Sequence, residues 1–349
     1  VGDDDIVEQL VDVGRLQAWM DDEGLPGAGE PLAVSRISGG SQNELLALTR
    51  GDETVVLRRP SLHAGDSMDR TMSREMQVLR AIRDSDVPHA RLLAGTEDKS
   101  VIGACFYVME QIDGWSPVVG WEDPFDHDLD ARAGLAIELV DGIARLSRVD
   151  WQANGLEGFG RPDGFHERQV DRWLGFLAEY QFRELPGITE AAEWLRHNQP
   201  TRYEPGIMHG DYQFANVMFR HGTPAKLAAI VDWEMATVGD PLLDLGWVLV
   251  GWPEEGGADH PPEGGGGVLD MWGMPPRQVV LDHYAAVSGR PVDEVDYFVV
   301  LARFKLAIVL EKSVARVRAS GVEDPKVAQF DPIVLDLAQR AGELATALS

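Results

Sequence analysis

The sequence predicts an α+β chain of two lobes, an N-terminal antiparallel sheet with one packed helix followed by a mainly helical C-terminal lobe. Three observations predict it. At 349 residues the chain exceeds the ~100–200 residues typical of one domain. Its first hundred or so residues carry short apolar runs separated by glycine-containing turns, whereas past Asp113-Gly114 the apolar residues recur at helical spacing. Hydrophobic residues make up 44% of the chain, enough for a sizeable core, and charged residues 26%, as in a soluble protein.

Taken in order, Ile6, Leu10, Val13, Leu16 and Met20 predict one amphipathic helix that ends near the glycines and proline of DEGLPGAGE. LAVSRI (32–37), ELLALT (44–49) and ETVVLR (53–58) read as strands joined by SGGSQN and RGD. A helix over about Ser67 to Arg83 follows, then two more strands, of which CFYVME (105–110) is the clearer. The lobes divide at about 111–116, giving a lead-in over 1–30, a sheet lobe over 31–112 and a helical lobe over 113–349. Helical spacing continues near 131–147, 165–183, 188–197, 276–288, 293–319 and 326–347, interrupted by short strands at 217–219 and 227–231. EEGGADHPPEGGGG (254–267) is too rich in glycine and proline for regular structure and reads as a mobile insertion, either a plain loop or a lid.

Lys and Arg total 31 against 58 Asp and Glu, a formal charge of −27 that argues against nucleic acid or an anionic membrane as partner. It suits a cationic small molecule or a well-solvated surface equally. No run approaches ~18 uninterrupted apolar residues, and VGDDDIVEQL lacks the basic start of a signal peptide, so the expectation is a cytoplasmic protein. The single Cys105 cannot form an internal disulfide and reads as a small buried residue on a strand.

The chemistry concentrates in MHGDYQFANVMF (208–219) and AIVDWE (229–234). His209-Gly210-Asp211 with Asn216 five residues after the aspartate has the spacing of the kinase catalytic loop H-R-D-x-x-x-x-N, with Gly for Arg. Asp211 is then the catalytic base, and Asn216, with Asp232 at the end of the second short strand, offers hard oxygens to a magnesium ion. In VVLR, Arg58 stands where a kinase strand presents its phosphate-binding lysine, sharing a face with Val56 while Arg59 points away, unless the two form a solvated arginine pair. Glu75, in SREMQVLRAI, is placed as a kinase places the partner of that cation, and the glycine turn 38–43 reads either as an ordinary hairpin or as a loop that brings Ser41 to the phosphates. YVMEQIDG (107–114) enters the junction between lobes, where the Glu110 carbonyl and Ile112 amide face a nucleotide base.

Together MHGDYQFANVMF, IVDWEMATVGDPLLDLGW, VVLRRP and SVIGACFYVMEQIDG resemble blocks of the aminoglycoside phosphotransferase family, over about residues 33 to 252. GRPDGFHERQVDRW and GDPLLDLGW are similar to the branch related to the kinase domain attached to certain acyl-CoA dehydrogenases. The resemblance implies a bilobal protein-kinase-like fold and Mg²⁺-dependent transfer from ATP, or alternatively GTP, to the hydroxyl of a small-molecule acceptor. It also implies that Asp240 and Asp244 brace the loop and cap the next helix, with Asp240 before Pro241 equally an ordinary helix cap. His209 reads as an orienting residue.

An aminoglycoside, an amino alcohol and a hydroxyacyl thioester all remain open as acceptors. The coenzyme phosphates of a thioester would need a basic patch, for which Arg303, Lys305, Lys312, Arg316 and Arg318 are candidates unless they form a solvated face. The competing reading is a catalytically silent nucleotide-binding module, favoured by Arg58 and the irregular glycine turn and opposed by the complete Asp211, Asn216 and Asp232 set. Oligomeric state is left open.

Overall fold

The computed structural model describes residues 3–39, 43–62, 64–65, 67–259, 271–322 and 324–349. Helices α1 (Asp3–Leu10) and α2 (Val13–Asp22) precede a five-stranded antiparallel sheet built from β1 (Ala33–Gly39), β2 (Asn43–Arg50), β3 (Glu53–Pro60), β4 (Leu92–Thr96) and β5 (Phe106–Glu110) in the order β1-β2-β3-β5-β4. The single N-terminal helix expected from periodicity is two. Asp12 accepts the Arg15 amide at 3.0 Å and starts α2, so an N-cap interrupts a repeat whose apolar residues stay in phase. Leu10, Leu16 and Met20 pack against Leu46, Leu48, Leu57, Phe106 and Val108 on the outer face of the sheet. The lead-in therefore shares one core with the strands.

Helix α3 (Ser67–Ile82) covers the inner face through Met72, Met76 and Leu79. These residues continue into the C-terminal core with Leu135, Leu139, Phe214 and Ile230, so α3 ties the sheet lobe to the helical one. The C-terminal lobe is formed by α4 (Leu129–Leu146), α5 (Phe165–Tyr180), α6 (Ile188–His197), α7 (Leu242–Leu249), α8 (Arg277–Ser288), α9 (Val295–Ser320), α10 (Pro325–Ala328) and α11 (Phe330–Ala347). Two small antiparallel ribbons lie among them, β6 (Gly206–Met208) with β9 (Thr237–Gly239) and β7 (Val217–Phe219) with β8 (Leu227–Ile230).

β6 and β9, three residues each, are too short to leave an alternating pattern, and the final helix expected over 326–347 is divided into α10 and α11. The segment at 254–267 is only partly described. Its first residues are held in place, because the Gly257 amide donates to the Met274 carbonyl at 2.9 Å and the Ala258 carbonyl accepts the Gly273 amide at 2.7 Å. Residues 260–267 lie outside the described residues, as does Ser41.

Candidate active site

The two ribbons position the site. β6 delivers His209, Gly210 and Asp211 from one side, and β8 delivers Asp232 from the other. The Val231 amide donates to the Asn216 carbonyl at 3.0 Å and so extends the β7–β8 ribbon by one bond at the end that carries Asp232. Asp211 and Asp232, twenty-one residues apart in the chain, are close enough for the Asp232 charge to act on the Asp211 carboxyl.

Asp211 is held by two amides. Asn216 Nδ2 donates to its carbonyl at 2.7 Å and to its Oδ2 at 3.0 Å, and Gln213 Nε2 donates to Oδ1 at 3.0 Å. With Nδ2 so engaged, the Oδ1 of Asn216 is the atom left to accept a cation. Burial pushes the Asp211 carboxyl above its ordinary range, Asn216 opposes this, and Asp232 adds to it. A carboxylate destabilised in that way is a better proton acceptor than a solvated one.

His209 is fully buried. Its Nε2 donates to the Val231 carbonyl at 2.9 Å and its Nδ1 accepts the Asp211 amide at 3.4 Å. Burial lowers its pKa, so the ring is neutral and joins the loop carrying Asp211 to the strand end carrying Asp232. Asp244, buried on α7, accepts the amides of His209 at 2.6 Å and Gly210 at 2.8 Å. Gly210 has φ +88°, and a Cβ there would press on the Met235 carbonyl oxygen, so the loop turns where only glycine fits without strain. Asp240 Oδ1 accepts the Leu242 amide at 3.1 Å ahead of α7, and its Oδ2 faces His166 Nε2 at 3.0 Å.

From the other lobe, Arg58 Nε lies 2.9 Å from Glu75 Oε2, and its Nη2 reaches Asp232 Oδ1 at 2.7 Å. Glu75 is fully buried and also accepts the Tyr107 hydroxyl at 2.7 Å. Burial pushes the Glu75 carboxyl up, while Arg58 and the Tyr107 hydroxyl pull it back. A guanidinium suits this position because its planar fork reaches two carboxylates at once, which a lysine ammonium cannot do in the same plane. Its neighbour Arg59 points to the opposite face, where it donates to the carbonyls of Leu10, Pro60 and Ile102. A solvated arginine pair, the bland reading of the sequence, is therefore excluded.

The structure thus brings Arg58, Glu75 and Asp232 into one contact network, with Asp211 and Asn216 beside it where the sheet lobe meets the two ribbons. Glu110 and Ile112 lie where β5 leaves the sheet. Glu110 pairs in register with Val55, its side chain meets Arg91 at 2.7 Å, and among the described residues the Ile112 amide has no hydrogen-bond partner. Three participants were not singled out in the sequence: Gln213, Tyr107 and Glu234. Glu234 follows Asp232 by two residues, receives Asn43 Nδ2 at 3.4 Å, and has its carboxyl pushed up to about 7 by burial and then by Asp232.

Lys305 corrects an expectation. The basic side chains of α9 do not form one patch: Arg303 donates to the Val250 carbonyl at 3.1 and 3.0 Å, and Arg318 stacks on Phe182 at 4.7 Å. Lys305 is buried, with Nζ 5.2 Å from the Trp173 ring centroid and 5.7 Å from that of Trp247. Burial lowers its pKa to about 8 against the pull of Asp244 and Asp211. Helical spacing held the signal, because Lys305 shares a face with Leu301, Ala302 and Ile308, all buried.

The two lobes and the loop at their junction set the class of the fold as protein-kinase-like. The chain belongs to the phosphotransferase enzyme family, whose model matches residues 33–277. Among curated proteins it is 29% identical over 336 residues to acyl-CoA dehydrogenase family member 11 of Gallus gallus, covering 91% of this chain and 41% of that protein. Identity to the Homo sapiens family member 11 is 26% over 360 residues, covering 99% and 45%. The chain therefore spans under half the length of these relatives.

Among solved structures, a Ralstonia eutropha protein bearing the aminoglycoside phosphotransferase name superposes with a TM-score of 0.80 at 27% identity, covering 97% of this chain and 99% of that one. The GDP and kanamycin complex of APH(2″)-IIIa shares the fold, with a TM-score of 0.59 at 17% identity over 91% of this chain and 94% of that one. No helix among the described residues is long and apolar enough to cross a membrane.

Proposed function

We propose that the chain moves the γ-phosphoryl group of ATP, or alternatively GTP, to a hydroxyl of a small molecule in a magnesium-dependent reaction. The observation that carries this reading is the meeting, in one cleft, of Asp211, Asn216 and Asp232 with the buried Arg58–Glu75 pair. Phosphoryl transfer asks a protein mainly for positioning and for charge compensation, and these five side chains supply both. Asp211 takes the acceptor's proton. Arg58, fixed in direction by Glu75, offers its guanidinium to the phosphates.

The donor set fits magnesium. Asn216 Oδ1 and the Asp232 carboxylate are hard oxygens on adjoining strand ends, and would hold the ion. Bound there, Mg²⁺ would neutralise charge on the nucleotide phosphates. The nucleotide base is assigned to the Glu110 carbonyl and Ile112 amide, at the lobe boundary of 111–116, and Ser41 to the phosphate side. The GDP in the APH(2″)-IIIa complex supports a nucleotide co-substrate by fold alone. We place the protein in the cytoplasm, in keeping with its one buried cysteine.

A silent module is the second reading, because the Arg58–Asp232 contact occupies a carboxylate that the metal needs. The two separate by experiment. Thermal shift with ATP and with GTP is measured with and without Mg²⁺, then transfer is assayed over aminoglycosides, amino alcohols and hydroxyacyl thioesters, the last suggested by the names of the acyl-CoA dehydrogenase relatives. Magnesium-dependent stabilisation with transfer to one class supports the enzyme. Nucleotide binding that ignores Mg²⁺, with no transfer, supports the silent module.

A further inference from the structure

Beside the cleft lies a concavity of about 860 Å³ lined by Arg74, Arg161, Arg168 and Arg172. Such a set is unusual in a chain with 58 acidic and 31 basic residues, because ion pairing should be easy for any exposed arginine. Yet none of the four has a carboxylate within 4.0 Å among the described residues, although Glu167 and Asp171 line the same basin. Asp171 is instead engaged by Arg196 at 2.6 Å. The basin is net positive in a protein that is strongly negative.

Two of the arginines are fixed. Arg74 donates to the Phe159 carbonyl at 2.9 Å and the Ala236 carbonyl at 3.1 Å, with its guanidinium 4.0 Å over the Phe159 ring. Arg168 donates to the carbonyls of Asp163 and Arg161. Main-chain carbonyls orient these forks without cancelling their charge. Arg161 and Arg172 stand exposed at the rim; among the described residues their guanidinium groups make no hydrogen bond or ion pair, and that of Arg172 lies 5.6 Å from the Phe176 ring centroid.

The basin adjoins the catalytic groups. Thr237 and Val238 of β9 form part of its wall, and β9 is paired with β6, the strand that ends one residue before His209. A polycation would be repelled by the basin, while a guanidinium fork matches phosphate or carboxylate oxygens.

Resting on the phosphotransferase reading above, we propose that this basin is the acceptor subsite and that the acceptor is an organic anion, its phosphate or carboxylate groups held by Arg74, Arg161, Arg168 and Arg172 while its hydroxyl reaches Asp211. The net charge of the chain therefore misdirects: the pocket selects the opposite sign. The test uses the full chain saturated with Mg²⁺ and a non-hydrolysable ATP analogue, so that the nucleotide site is filled, and titrates it calorimetrically with inorganic phosphate.

Saturable binding is expected, weakened at least tenfold by the double substitution Arg161→Gln/Arg172→Gln and unchanged by Arg340→Gln on the far surface of α11. In the acceptor panel the double variant is expected to raise KM for anionic hydroxyl compounds by tenfold or more. No saturable phosphate binding, equal affinity in the double variant, or transfer to an aminoglycoside at a higher kcat/KM than to any anionic compound overturns the proposal. Failure of the nucleotide analogue to bind is a separate result that sinks the phosphotransferase reading. The phosphate titration is then judged on the nucleotide-free chain by the same criterion.

Discussion

Gly210→Ala tests the geometry of the catalytic loop with a single methyl group. Gly210 has φ +88°, and its added Cβ would lie well inside contact with the Met235 carbonyl oxygen and 3.1 Å from Met235 Cβ. An L-residue at such a φ costs about 1–2 kcal/mol, and overpacking adds about 1–3 kcal/mol. The expected destabilisation is about 2–5 kcal/mol. Unfolding entropy of roughly 2.1 cal/mol/K per residue converts this to a melting temperature lower by roughly 3–7 °C for a chain of this length.

Function is expected to suffer more than stability. The methyl group pushes on the Trp233–Met235 turn that follows Asp232, while Asp211 is the very next residue, so both carboxylates move. A displacement near 1 Å costs on the order of 10²-fold in turnover. Scanning calorimetry gives the first number and steady-state kinetics with the acceptor found in the panel gives the second. A variant that melts and turns over like the parent would refute the claim that this glycine sets the loop.

Replacing Asp211 with Asn is expected to lower turnover by about 10²–10⁴ while nucleotide affinity stays within twofold, measured by kinetics and calorimetry side by side. Glu75→Gln leaves Arg58 buried with half its partners and is expected to cost about 3–5 kcal/mol in urea unfolding. Combined with Arg58→Met the losses should fall well short of additive, and strict additivity would show that the pair is not coupled. The Asp211 carboxyl is held above its ordinary range, so it loses its charge earlier as pH falls, and the acid limb of kcat/KM should lie above the pH at which a solvated aspartate titrates. Gln213→Leu removes a hydrogen bond that favours the charged form and should move that limb further up; a limb that stays put argues against Asp211 as the titrating group. Asp232→Ala should abolish the magnesium-dependent part of the nucleotide thermal shift, and retention of that part would assign the metal elsewhere.

The parts of the site legible in the sequence are those written as local spacing. Asp211 and Asn216 sit five residues apart on one loop, and Asp232 follows a run of apolar strand residues, so each carries its own context. The pairing of Arg58 with Glu75 needed the alternation of a strand and the family pattern. What stayed hidden was assembled only by folding. Tyr107 reads as one more apolar strand residue until its hydroxyl is seen on Glu75. The four arginines of the basin come from positions 74 to 172 on α3, a loop and α5, and no window of sequence contains them all.

Lys305 carries the charge of a surface residue, but the phase of α9 turns that side chain inward. At the N-terminus the phase of Leu10, Leu16 and Met20 runs unbroken, while the Asp12 cap between them divides the helix in two.

Strand β3 has a practical consequence for anyone trimming this chain. The family match begins at residue 33, yet the polypeptide upstream shields Leu46, Leu57 and Phe106 and supplies the Leu10 carbonyl that grips Arg59. A fragment started at the family border would bare a greasy sheet and loosen the neighbour of Arg58. It would aggregate for reasons unrelated to catalysis.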